Sequence, residues 1–139
     1  MTALTAALLD TDVFSALFVR TRGEPVQAAD WRSRLTGRQV VISFQSRAEL
    51  LYGAKKKDWG QARRAQLEQI LDRTVTIQPD LDVIDAFASL RDECRRAGHA
   101  LHDRLHTADR WIAACAIAKD LPLLAADQIY RNAPGLQLL

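Results

Sequence analysis

The sequence has little cysteine: Cys94 and Cys115 are the only two in 139 residues. Both fall in stretches patterned as helices, so they read as small buried hydrophobes in a reducing cytosol rather than as bridges. No apolar run approaches the roughly 20 residues that a membrane span needs. The opening MTALTAALLDTDV has no basic stretch before its apolar part and runs straight into acids. It therefore does not read as a signal peptide, and a cytoplasmic location with no membrane partner is expected. There is no internal repeat, low-complexity segment or linker, and no G-x-S-x-G elbow of the kind a serine hydrolase needs. Neither sign of charge is in large excess. Nineteen Lys and Arg face 17 Asp and Glu, a net +2, too little by itself to argue for nucleic acid. What remains is 48% apolar and 26% charged residues, an ordinary globular composition in a chain long enough for one domain, 1–139.

Short apolar strands alternate with helices along that length. Residues 7–9, RQVVIS closing at Ser43, TVTI at 74–77, PLLA at 122–125 and LQLL at 136–139 read as five strands. Helices are expected over 13–17, from Pro25 to about Leu35, over 47–57, 59–71 and 81–97, and over 106–119. Asp58 reads as an N-cap and Gly98 as a C-terminal stop. Strands and helices in alternation define an α/β fold, with a central mostly parallel sheet of 4–5 strands flanked by helices.

Most acids lie on polar helix faces or in loops, but four do not. Asp10 ends the first strand and Asp127 follows the fourth, at the carboxyl edge where open parallel sheets bind ligands. Asp109 shares a helical stripe with Ile112, Ala113, Ala116 and Ile117, the buried stripe. Glu49 is the only acid between Phe44 and Ala54. Each has a plain alternative. Asp10 or Asp12 fits a helix cap, Asp109 an N-terminal turn favoured by the macrodipole, Asp127 a turn, and Glu49 a salt bridge with a buried arginine. Of the first pair, Asp12 is the expected cap and at most an auxiliary ligand. Taken together, the four need four separate explanations for one pattern.

Carboxylates crowded together repel one another and favour a hard divalent cation, Mg²⁺ or Mn²⁺, which takes oxygen ligands. Such a site activates water and polarises a phosphodiester without a protein nucleophile. Setting the four aside leaves 19 basic against 13 acidic residues, a net +6, an acidic spot on a basic body suited to a polyanion. Two other chemistries fit parts of the chain. LLDTDV satisfies the Asp-x-Asp pattern of haloacid-dehalogenase-like phosphatases, with Asp10 as nucleophile and Asp12 as acid/base, but leaves Asp109 and Glu49 unexplained. His99, His102 and His106, with Cys94 nearby, have spacing that fits zinc, though without paired cysteines.

LLDTDVFSAL, SRAELLYGA, ADRWIAACAIAKDLPLLAAD and the closing GLQLL, in that order over nearly the whole chain, resemble a PIN domain, more narrowly the VapC-type toxins of bacterial toxin–antitoxin pairs. The resemblance places Asp10, Glu49, Asp109 and Asp127 as the four acids of a catalytic and metal site. It implies a Mg²⁺- or Mn²⁺-dependent endoribonuclease acting on structured RNA, a homodimer, and a VapB-like antitoxin as partner. A degenerate PIN fold that binds RNA or protein without cutting is the alternative; it typically loses one or more acids, and all four are present here. The chain departs from the family pattern at Asp12 (often Asn or Ser), Ala125 (Thr or Ser), Cys115 (Thr) and Tyr130 (Phe).

Overall fold

Alternation along the first strand divides the interior in two. A computed structural model describes residues 5–139; the first part of the MTALTAALLDTDV reading lies outside them. In β1 (Thr5–Leu9), Leu8 faces one side of the sheet while Ala7 and Leu9 face the other, as the two-residue period of a strand requires. The same split separates Val41 from Ile42 in β2 (Arg38–Ser43), and Leu123 from Leu124 in β4 (Leu123–Leu124). All seven side chains are buried, which explains why these strands read as continuous apolar runs. With β3 (Val75–Ile77) the order is β3-β2-β1-β4, and every pairing is parallel.

One face is covered by α5 (Leu81–Ala97) and α6 (Thr107–Ala118), whose Val83, Leu90, Cys94, Ile112 and Ala113 pack with Leu8, Val41 and Ile77. The other is covered by α1 (Thr11–Phe14), α3 (Phe44–Lys56) and α4 (Gln61–Asp72), through Val13, Phe14, Leu50, Leu67 and Leu71. Past Phe14 the helix widens into a π-helical turn, Ser15–Val19, followed by a loop and α2 (Ala28–Arg34). Cys94 and Cys115 are both free and buried, and burial pushes the Cys115 thiol up to about 12. These are the inert core thiols the sequence leads one to expect. Among the described residues no helix is long and apolar enough to cross a membrane.

Several boundaries differ from the sequence reading, most for a local reason. The fifth strand is a single parallel bridge, Leu123 to Leu138, flanked by Leu123 N donating to Gln137 O and Leu139 N donating to Leu123 O, both at 2.9 Å. The helix expected from Pro25 starts at Ala28, since Pro25 instead accepts the Ala28 N–H in a preceding turn. Helix α3 starts at Phe44, three residues before the expected Arg47, because Ser43 ends the strand and caps the helix, accepting from Ser46 N at 3.0 Å. Asp58 is not the cap of α4; Gly60 holds that place. Asp58 sits at φ 52° and closes the end of α3, with Trp59 N donating to Ala54 O, a left-handed position Asp tolerates. Gly98, at φ 71°, ends α5 as expected: His99 N reaches back to Cys94 O at 2.8 Å, the bond that closes a left-handed helix end.

Candidate metal centre

Asp10 is placed by the register of β1 and fixed by three bonds. Its N–H donates to Leu124 O at 3.0 Å. Its Oδ1 accepts from Val13 N at 2.9 Å and its Oδ2 from Ala126 N at 3.0 Å. The carboxylate therefore caps α1 and ties the loop after β4 to the end of β1. The cap expected of Asp12 belongs to Asp10; Asp12 lies in the first turn and is exposed. Asp10 is only 4% exposed. Burial raises its pKa from 3.8 to about 6, the neighbouring Asp12 charge adds to the rise, and the two amide bonds oppose it.

Glu49 lies in the second turn of α3, half-buried. Thr11 donates its hydroxyl to Glu49 Oε2 and stands 2.9 Å from Ser46 Oγ, while Gln45 Nε2 donates to Glu49 Oε1 at 3.2 Å. Asp109 opens α6, where an acid is favoured by the helix dipole. Its Oδ2 is 3.1 Å from His106 Nδ1, and its Oδ1 accepts the Tyr130 hydroxyl at 3.3 Å. Tyr130 is buried, and that burial, with the Asp109 charge beside it, drives its phenol pKa far up, so the hydroxyl keeps its proton. Asp127 is exposed at the turn after β4 and accepts from Ile129 N at 2.9 Å.

These four acids, with Asp12, Thr11, Ile112 and Tyr130, line one cavity of about 220 Å³ at the carboxyl edge of β1 and β4. Among the described residues none of the four is paired with a lysine or arginine; the one ionic neighbour is His106 beside Asp109. No three His, Cys, Asp or Glu side chains among those residues already stand at ligating distance of a common point. The acids thus face a shared space rather than a closed shell. Their chemistry nonetheless fits Mg²⁺ or Mn²⁺: every donor is a hard oxygen, and among the described residues no lysine or arginine is paired with the set.

The zinc grouping does not form. His99 spends both ring nitrogens on the backbone, at Arg131 O (2.7 Å) and Leu101 N (3.1 Å). Cys94 lies in the core. Only His106 joins a functional cluster, and it joins the carboxylates. Three contributors escaped the sequence reading. Thr11 and Tyr130 were legible only as a residue between two aspartates and as a departure from phenylalanine. Arg110 is 1% exposed, has no acidic partner among the described residues, and donates through Nη1 to Leu101 O and Asp103 O and through Nη2 to Thr107 Oγ1 at 3.3 Å. It fastens the 100–106 connector to the helix that carries Asp109. The buried arginine thus exists, but Glu49 is not its partner.

A family model described as the PIN domain matches residues 7–136; the chain belongs to the PIN domain family. That membership sets aside the phosphatase reading of Asp10 and Asp12. Solved structures share the fold. VapBC2 from Rickettsia felis, bound to a DNA fragment from its promoter, is 22% identical with a TM-score of 0.75 over 97% of this chain and 98% of that one. FitAcB from Neisseria gonorrhoeae is 22% identical with a TM-score of 0.73, covering 96% of each chain. VapBC-5 from Mycobacterium tuberculosis, of the VapBC family of toxin–antitoxin systems, is 25% identical with a TM-score of 0.65 over 97% of this chain and 98% of that one. No curated protein sequence matches the chain.

Proposed function

We propose that this protein is a Mg²⁺- or Mn²⁺-dependent endoribonuclease, the toxin of a VapBC-type toxin–antitoxin pair. One observation carries the reading: four carboxylates from four distant segments line one cavity, and among the described residues none is paired with a lysine or arginine. Asp10 and Asp109 are the principal metal-holding side chains, Glu49 and Asp127 complete the set, and Asp12 is an auxiliary at the rim. When bound, the divalent ion supplies Lewis acidity toward water and the phosphodiester. The chain's own part is to hold and orient. Two backbone amides fix the Asp10 carboxylate, and Thr11 and Gln45 aim that of Glu49. Glu49 serves as a ligand or to orient water, and Tyr130 and His106 restrain Asp109 from either side.

The fold shared with VapBC complexes supports a VapB-like antitoxin as partner; a homodimeric toxin is what the family resemblance implies, and a cytoplasmic location follows from the reading of the sequence. The deciding experiment is cleavage of structured RNA by purified protein with Mn²⁺ or Mg²⁺, run beside an EDTA control and Asp10→Asn. Metal-dependent cuts absent from the variant are expected; identical patterns from both proteins would overturn the reading. Induced expression should arrest growth, and Glu49→Gln should not. Equal arrest by both would count against the toxin role.

A further inference from the structure

Glu49 stands at the end of a row of hydroxyls. Ser43 closes β2 and caps α3, Ser46 lies in the first turn of that helix, and Thr11 opens α1 directly after Asp10. Ser43 Oγ is 3.3 Å from Ser46 Oγ, which is 2.9 Å from Thr11 Oγ1, and Thr11 Oγ1 meets Glu49 Oε2. Both serines are wholly buried, at 0% exposure, and Thr11 is half-buried. Each hydroxyl has one proton to give, and that fixes the direction of the row. An ionised carboxylate only accepts, so the Thr11 proton goes to Glu49. Ser46 must then donate to Thr11, and Ser43, whose oxygen accepts the Ser46 N–H at 3.0 Å, donates to Ser46. Every hydroxyl gives once and receives once. The reverse order fails: with Thr11 donating to Ser46, Oε2 loses its donor, and Ser43 is left with a buried proton and no acceptor among the described residues.

We propose that Ser46, with Ser43 behind it, is a positioning residue for the metal site: it turns the Thr11 hydroxyl toward Glu49 and so sets which lone pairs of that carboxylate remain for the cavity. Gln45 Nε2 occupies Oε1 at 3.2 Å, so each oxygen of Glu49 keeps a lone pair for an ion or for a water the ion holds. The row also crosses between elements. Thr11 and Glu49 are 38 residues apart, and the hydroxyls join the helix behind Asp10 to the helix that carries Glu49. The placing of the two carboxylates is thereby set by the protein's own hydrogen bonds before any ion arrives. Oriented hydroxyls in a row polarise one another, so the loss of an inner member is felt at the end. This rests on the metal reading of the cavity, and the test separates the two.

Titration with Mn²⁺ in a calorimeter reads the site without any cleavage. Thr11→Val, which exchanges the hydroxyl for a methyl of similar size, should weaken Mn²⁺ binding by roughly tenfold, the low end of what outer-shell partners contribute. Thr11→Ser keeps the hydroxyl and should bind close to wild type. Ser46 does not line the cavity, yet Ser46→Ala should weaken Mn²⁺ binding several-fold. In the Thr11→Val background the same change should add nothing, because the link through which it acts is gone. Ser46→Cys, of similar size but a weaker donor, serves as a second variant and should fall between Ser46→Ala and wild type. Thermal unfolding in EDTA accompanies each titration: a merely structural serine would lower Tm and leave the Kd of the folded protein unchanged. Such an unchanged Kd in Ser46→Ala would overturn the proposal. So would equal losses in Thr11→Ser and Thr11→Val, which would reduce the effect to packing, or losses that multiply in the double variant. Normal Mn²⁺ binding by the wild type beside any of these results would leave the metal reading standing. A wild type that binds no Mn²⁺ would sink that reading and this proposal together.

Discussion

Replacing Asp10 by asparagine should make the metal-free protein more stable at neutral pH. The reason is the carboxylate's burial, which raises its pKa from 3.8 to about 6. At 1.36 kcal/mol per pH unit, that gap means the ionised form costs about 3 kcal/mol of folding stability above pH 6. The folded carboxyl binds its proton more tightly than the unfolded one. Its contribution to stability is therefore fully present below pH 3.8, falls as pH rises through about 6, and is flat beyond. Asparagine carries no charge to desolvate and keeps an oxygen for Val13 N. It turns an amide toward Ala126 N, however, and losing that bond costs about 1 kcal/mol. The net gain is about 2 kcal/mol at pH 7.5, or roughly 6 °C in Tm for a chain of this length. Near pH 4 the penalty has nearly gone from the wild type, so the order should reverse. Thermal unfolding followed by circular dichroism in EDTA at the two pH values reads both effects. With Mn²⁺ in excess the wild type should gain stability and the variant should gain little. An asparagine variant less stable than wild type at pH 7.5 in EDTA would refute the reasoning, as would an advantage that persists at pH 4.

Tyr130→Phe should preserve the fold and weaken Mn²⁺ binding several-fold, since the phenol's one polar contact is the Asp109 carboxylate and outer-shell bonds tune metal affinity. Calorimetric titration with the metal is the check, and an unchanged Kd would reduce Tyr130 to packing. Arg110→Met should cost about 2 kcal/mol in urea unfolding, because two backbone carbonyls of the connector lose their donors and relief of the buried charge offsets only part of the loss. It should also speed amide exchange over residues 100–106; slow exchange there would show that the connector holds without the guanidinium.

The sheet was legible because its strands are buried on both faces, so their apolar runs have no competing explanation. The acids were legible for a related reason: Asp10 and Asp109 interrupt patterns that leave no room for a solvated charge. Asp109 does not lie on a narrow buried stripe of helix α6, since Arg110 and every residue from Ile112 to Ala116 are buried too. A charge within that helix was already tolerated at position 110, where carbonyls rather than carboxylates satisfy it. The helix ends were misplaced where one residue serves two elements. Ser43 is both the last of β2 and the cap of α3, and Asp58 finishes α3 where a cap for α4 was sought. The Asp10–Asp12 choice turned on the same ambiguity: both precede or open a helix, and only the backbone at the end of β1 decides which carboxylate reaches Val13 N. The pairing of Tyr130 with Asp109 spans 21 residues, and no local pattern signals it.

The direct passage from β2 into α3 at Ser43 leaves no slack between the sheet and the helix that carries Glu49. Asp10 is anchored just as tightly, so the cutting end of the molecule moves only with its framework. A groove beside it is walled in part by residues 20–27 and the α3–α4 junction, of which Trp59 packs against the core. A scaffold arranged in this way can exchange one target for another by rewriting those surface segments, while the chemistry is inherited unchanged.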